Sequence, residues 1–137
     1  MKSLLAVLLI MLGMSATALC QDKGEKVAAD AANRWLAVVD RGDYAASWET
    51  AAPMFKQSIS QDQWAKMLKA KRGPMGKLLS RTLKSAVYTT SLPGAPDGQY
   101  VVVVYESSFE HKNSAIETVT PSLDRDGQWK VSGYFIR

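Results

Sequence analysis

The side chains able to do acid, base or nucleophilic chemistry are few. One histidine, His111, stands between Glu110 and Lys112, and one cysteine, Cys20, lies near the start. Nucleophilic catalysis needs a thiol or hydroxyl within reach of a base, and a metal site needs several His, Cys or carboxylate ligands converging. Neither spacing is present, and no glycine-rich phosphate loop opens a helix. No metal and no cofactor are therefore expected. Carboxylates remain: an Asp or Glu desolvated in an apolar pocket has a raised pKa and becomes a usable base. Glu106 and Glu117 are the two carried by strand-like segments.

Those segments fill the last third of the chain. Gln99–His111, Ser114–Asp124 and Gln128–Arg137 are rich in Val, Tyr, Thr, Phe, Trp and Ile, as half-buried strands require. The turns between them, at 111–113 and 125–127, supply Asn113 and Gly127 for a positive φ. In the first segment Val101, Val103, Tyr105 and Phe109 share a face, which places Tyr105 inward and Glu106 outward. In the next, Ala115, Glu117, Val119 and Leu123 alternate with Ile116, Thr118 and Thr120, and neither set is clearly the core face. Pro121 suggests a bulge that would switch faces midway. Glu117 then either points inward as a catalytic candidate or pairs across strands with a lysine such as Lys130. The outward, paired arrangement is the expectation, because carboxylates are seldom buried.

Three helices are expected upstream to cover this sheet. From Gly24 to Arg41, Val27, Ala28, Ala31, Ala32, Trp35, Leu36, Val38 and Val39 recur at spacings of three and four. Gly42 ends that helix, and Asp43 caps a second with a stripe of Tyr44, Trp48, Ala51, Ala52, Phe55 and Ile59. Pro53 interrupts the stripe and predicts a kink or a restart. Ser60 and Gln63 form a capping box for a third helix. There Trp64, Met67 and Leu68 should face inward, with Lys66, Lys69, Lys71 and Arg72 outward, until Gly73-Pro74 stops it. A first strand is expected near Ser80–Ser91, and a Pro/Gly loop at 92–98 leads into the next. Helices followed by an antiparallel meander make an α+β fold of one domain. Trp35, Trp48 and Tyr105 are the candidates for stacking a ligand, although their places on inward faces fit core packing better.

Composition agrees with one ordinary globular domain, at 137 residues, 47% hydrophobic and 22% charged. Residues 1–20 are read apart from it: Lys2, the apolar Leu4–Met14 run and the small-residue stretch Ser15-Ala16-Thr17-Ala18 have the pattern of a secretory signal peptide. Cleavage near Gln21 would discard Cys20 and place the domain, 21–137, in the periplasm or outside the cell. Losing Lys2 lowers the net charge only from +4 to +3, too little for a nucleic-acid binder by bulk charge. The distribution is uneven, however. Between Asp62 and Asp97 no acidic residue occurs, yet Lys66, Lys69, Lys71, Arg72, Lys77, Arg81 and Lys84 do. Such a basic patch would attract anionic envelope lipid or polysaccharide, at ~1 kcal/mol per charge near an acidic membrane.

Several stretches resemble a family of small secreted bacterial proteins, domain of unknown function 4019. They are TrpLeuAlaValValAspArgGlyAspTyr at 35–44, SerTrp at 47–48, ArgGlyProMetGly at 72–76, LeuProGlyAlaProAspGlyGlnTyrValVal at 92–102, GluThrValThr at 117–120 and AspGlyGlnTrpLysValSerGlyTyrPheIle at 126–136. The resemblance implies a cone-shaped, cystatin-like fold like that of nuclear transport factor and ketosteroid isomerase, three helices closing over a curved four-stranded sheet. It implies no activity, because fold alone does not carry function. A non-enzymatic binding or interaction module is expected, partnered by an anionic envelope component, another envelope protein or a second copy. A small hydrolase or isomerase using a pocket carboxylate is the alternative. The two differ in whether a desolvated carboxylate lines a pocket beside Tyr or Trp.

Overall fold

The computed structural model describes Ser15–Arg137, with side chains from Gly24 onward. The leader proposed for residues 1–20 lies mostly outside the described residues. Four α-helices precede the sheet: α1 (Ser15–Asp40), α2 (Tyr44–Glu49), α3 (Pro53–Ser58) and α4 (Gln61–Arg72). The expected count of three is corrected by Pro53. It occupies the first position of α3, where the missing N–H is not needed, so the chain restarts instead of kinking. Asp43 accepts from the Ala46 N–H at 3.2 Å as the cap of α2. Ser60 and Gln63 form the reciprocal capping box of α4. No described helix is long and apolar enough to cross a membrane.

After a single 3-10 turn at Gly73–Met75 come β1 (Leu78–Thr89), β2 (Tyr100–Phe109), β3 (Lys112–Leu123) and β4 (Trp129–Ile136). They pair antiparallel in sequence order, as a meander with β1 and β4 at the edges. Gly76, at φ +76°, turns the chain into β1 hard against the β2–β3 hairpin. A Cβ there would come within 3.0 Å of Glu110 Cβ and His111 Cδ2, so both conformation and space select glycine. Gly127 takes the positive φ expected of it. Asn113 does not: no described non-glycine residue has φ above zero, and Asn113 already belongs to β3. The hairpin turns at Glu110-His111, between the paired residues Phe109 and Lys112.

Alternation on β2 follows the expectation, with Val101, Val103, Tyr105 and Phe109 buried and Glu106 exposed. On β3 the odd residues Ala115, Glu117, Val119 and Pro121 are all buried, so the strand does not switch faces. The irregularity at Pro121 is real, but the extra residue lies across the ladder: Thr120 pairs with Gly133 and Pro121 with Val131, leaving Ser132 unmatched. Helix α1 crosses the inner face and touches all four strands. Its Ala28, Ala32, Trp35, Leu36 and Val39 form the main core with Phe55, Trp64, Leu68, Val101, Val103, Tyr105, Val119 and Val131. A smaller apolar cluster of Phe109, Ala115 and Ile136 sits apart from it, and Tyr134 packs against both.

Candidate functional site

Between the two apolar clusters lies a group of buried and half-buried polar side chains drawn from six elements. Asp40 ends α1 and Arg72 ends α4; Arg81, Ser107, Glu117 and Tyr134 come one from each strand. The helical pair are placed by periodicity. The residues of α4 that turn inward are Trp64, Leu68 and Arg72, four apart. Asp40 follows Ala32 and Leu36 at the same interval. Both stripes begin apolar and end charged.

Glu117 is fully buried, which corrects the expectation that it faces outward to a lysine. Its Oε1 accepts from Arg81 Nε at 2.9 Å and from Ser107 Oγ at 2.6 Å. Its Oε2 accepts from the Tyr134 hydroxyl, with Arg72 Nη1 3.8 Å away. Arg81 also forks onto Asp40, Nη1 to Oδ2 at 2.7 Å and Nη2 to Oδ1 at 3.0 Å. Arg72 Nη2 reaches the same carboxylate at 2.8 Å. Two guanidinium and two carboxylate groups thus neutralise one another, and one face of each guanidinium is covered by a ring. The Arg72 carbon lies 4.6 Å from the Phe109 centroid and that of Arg81 5.9 Å from the Tyr105 centroid. Arg72 Nε is buried without an acceptor among the described residues.

Electrostatics follow from the contacts. Burial alone would push the Asp40 carboxyl up, but hydrogen bonds from Arg81 and Arg72 outweigh it and hold the group below its usual range. Burial, reinforced by the Glu117 charge and hydrogen bond, drives the Tyr134 phenol far above its ordinary value. Burial likewise lifts Tyr105 to about 12, the Glu117 charge adding to it and Arg81 opposing. Both tyrosines stay protonated donors near neutrality. The Tyr105 hydroxyl donates a hydrogen bond to Asn33 Oδ1 at 2.6 Å.

The other expected site residues are scattered. Trp35 is buried and donates from Nε1 to the Ser47 carbonyl at 2.8 Å; Trp64 donates to Ser47 Oγ at 2.9 Å. Trp48 is half-buried and donates to the Ile59 carbonyl at 2.9 Å, locking α2 to the end of α3. Trp35, Trp64, Phe55 and Tyr134 pack ring on ring, with centroids 4.8–6.2 Å apart. Trp35 lines an open cleft of about 390 Å³ with Arg34, Val38 and Trp129. Neither Glu117 nor Asp40 lines it, or the clefts of about 540 and 130 Å³. Lys130 pairs with Asp124 and Asp126 at 2.8 and 3.0 Å, not with Glu117.

The basic run divides. Arg72 and Arg81 leave it for the buried group, while Lys66, Lys69, Lys71, Lys77 and Lys84 are exposed. Lys84 meets Glu106 at 3.5 Å. Lys66, Lys69, Lys71 and Lys77 have no carboxylate partner among the described residues. Met67, expected inside, is 41% exposed among them. His111 is exposed in its turn, and no three metal-capable side chains converge among the described residues. Asp40, Ser47, Ser107 and Tyr134 were not singled out from the sequence.

Fold and site together define an α+β protein whose helices cover one face of an antiparallel meander, pinned by a closed ion-pair network. The chain belongs to the family described as protein of unknown function (DUF4019), whose model matches residues 31–134. No curated protein and no solved structure matches it.

Proposed function

We propose that the protein is an exported, non-enzymatic binding module of the bacterial cell envelope, holding an anionic lipid or polysaccharide through the lysines of α4 and Lys77. The state of Glu117 carries the non-enzymatic half. A general base needs a lone pair facing a substrate, and both Glu117 oxygens are occupied by donors from Arg81, Ser107 and Tyr134. The same contacts weigh against the hydrolase or isomerase alternative. The unpartnered lysines on one helix supply the binding half. Export is supported by the order Lys2, Leu4–Met14, Ala16-Thr17-Ala18. A cone-shaped arrangement like that of nuclear transport factor is compatible with α1 crossing all four strands.

Sedimentation with vesicles tests this. The protein should pellet with anionic phospholipid vesicles at low salt and be released as salt is added, because exposed charges are screened over about 10 Å at 0.1 M. Lys66→Glu with Lys69→Glu should weaken the association. Equal pelleting with neutral vesicles would remove charge as the cause. Turnover of an ester or ketosteroid substrate that is lost in Glu117→Gln would restore the enzyme alternative.

A further inference from the structure

Helix α4 and the end of β4 enclose a groove of about 130 Å³. Leu68 and Ile136 lie buried in it beside the Tyr134 ring, while Met67 and Phe135 are 41% and 62% exposed along it. Strand register explains Phe135. Tyr134 and Ile136 stand opposite the buried Val119 and Glu117, so Phe135, opposite Thr118, points off the other face of the sheet. On α4, Met67 and Lys71 are four residues apart and share a face, which sets an ammonium beside the apolar rim. Lys71 is the one charged residue among the described lining, and the Tyr134 hydroxyl is turned away to Glu117.

We propose that this groove seats the acyl chain of a fatty acid, with the carboxylate against Lys71. Its size is well under the roughly 300–1,000 Å³ of pockets that enclose a drug-sized ligand. It therefore takes part of a chain and leaves the rest against the exposed Met67 and Phe135. One ammonium without a carboxylate partner among the described residues matches a singly charged head. A sugar chain would instead meet ring and aliphatic walls, and burying its hydroxyls there unpaired is costly. Lys71 belongs to the lysine surface proposed above, on which this reading rests, and the groove beside it selects lipid over polysaccharide.

Methyl-labelled methionine in the full chain supplies the test. Met67 reports from the groove, and Met54, in the cleft of about 540 Å³, is the control. In NMR titrations with butanoate, hexanoate, octanoate and decanoate, below micelle-forming concentrations, the Met67 methyl should shift and saturate while Met54 stays still. Each CH2 buried should tighten binding by up to about fourfold until the groove is full. Phe135→Ser should weaken decanoate binding about tenfold. Lys71→Gln, which leaves β4 untouched should Phe135→Ser disturb it, should weaken binding by up to about fivefold and abolish its salt dependence. An unmoved Met67, equal affinity for butanoate and decanoate, or indifference to both variants would each overturn the proposal. So would a Met67 shift on raising protein concentration alone, which would put a second copy in the groove, or tighter binding of an acidic apolar peptide. Salt-dependent pelleting with anionic vesicles and no Met67 shift would remove the groove and leave the lysine surface. A saturating Met67 shift without such pelleting would remove the vesicle contact and leave the groove.

Discussion

The basic run between Asp62 and Asp97 contains two populations that part company in the folded chain. Its arginines are inside, Arg72 6% exposed and Arg81 12% at the side chain, each held to carboxylates. Its α4 lysines are outside and unpartnered among the described residues. The division follows from chemistry. Guanidinium is planar, weakly hydrated and forked, so one Arg81 engages Asp40 with two nitrogens and Glu117 with a third. An ammonium is a compact, strongly hydrated point that gains little from such a site. A run of like charge is therefore not one surface: Arg/Lys identity sorts it before geometry is known.

Arg81→Met is the severest test of that contrast. It leaves Asp40 with Arg72 as its one guanidinium partner and takes from Glu117 its guanidinium hydrogen bond, and a buried pair broken on one side costs about 3–5 kcal/mol. Urea denaturation should show the loss, and Arg81→Lys should recover little of it, since an ammonium cannot reproduce the fork. Full rescue by lysine would erase the distinction between the two populations.

Glu117→Gln comes next. The amide oxygen still accepts, but the amide NH2 then confronts a donor, so the charged hydrogen bonds lost should cost about 1.5–3 kcal/mol. A silent substitution would mean that Arg72 and Arg81 are balanced by Asp40 alone.

Acid should act through Asp40. Its carboxyl titrates lower folded than unfolded, so the folded state binds fewer protons as pH falls. Its contribution is present above the unfolded value of about 3.9 and is lost as pH falls through the folded value. Stability against pH should steepen below about 4, and Asp40→Asn should flatten that limb. An unchanged acid limb would place the acid-sensitive contact elsewhere.

Smallest of all should be the lysines. Lys66→Glu and Lys69→Glu should shift stability by no more than about 0.5 kcal/mol each, while reducing salt-dependent vesicle binding. A large thermal destabilisation would show that these side chains are structural after all.

Much of the scaffold was legible in the sequence because its signals are local. The capping box at Ser60 and Gln63, the turn glycine Gly127 and the alternation on β2 each depend on a few neighbouring residues. The site was not, because its members meet across the whole chain. Glu117 gave no local sign of its face, since both alternating sets of β3 mix polar and apolar residues. Two cues were nonetheless present. Arg72 continues the Trp64, Leu68 spacing and Asp40 continues Ala32, Leu36, and a charged residue extending an apolar stripe is as well placed to be buried with a partner as to mark the end of the core. Met67, one position from that stripe and expected inward by the same periodicity, is exposed.

The reach of the polar hub has a bearing on how the domain opens. Its bonds join residues 32, 36 and 41 positions apart and draw on two helices and all four strands. Neither α1, nor α4, nor any of the four strands can detach without leaving a charge of the hub short of a partner. Partial unfolding is thereby penalised relative to unfolding outright, and the hub works against separate foldons. In native-state hydrogen exchange the amides flanking Glu117, Arg81 and Tyr134 should share one opening free energy, falling together with added denaturant. Only the rim beyond the hub, such as the 92–98 loop, should exchange on its own schedule.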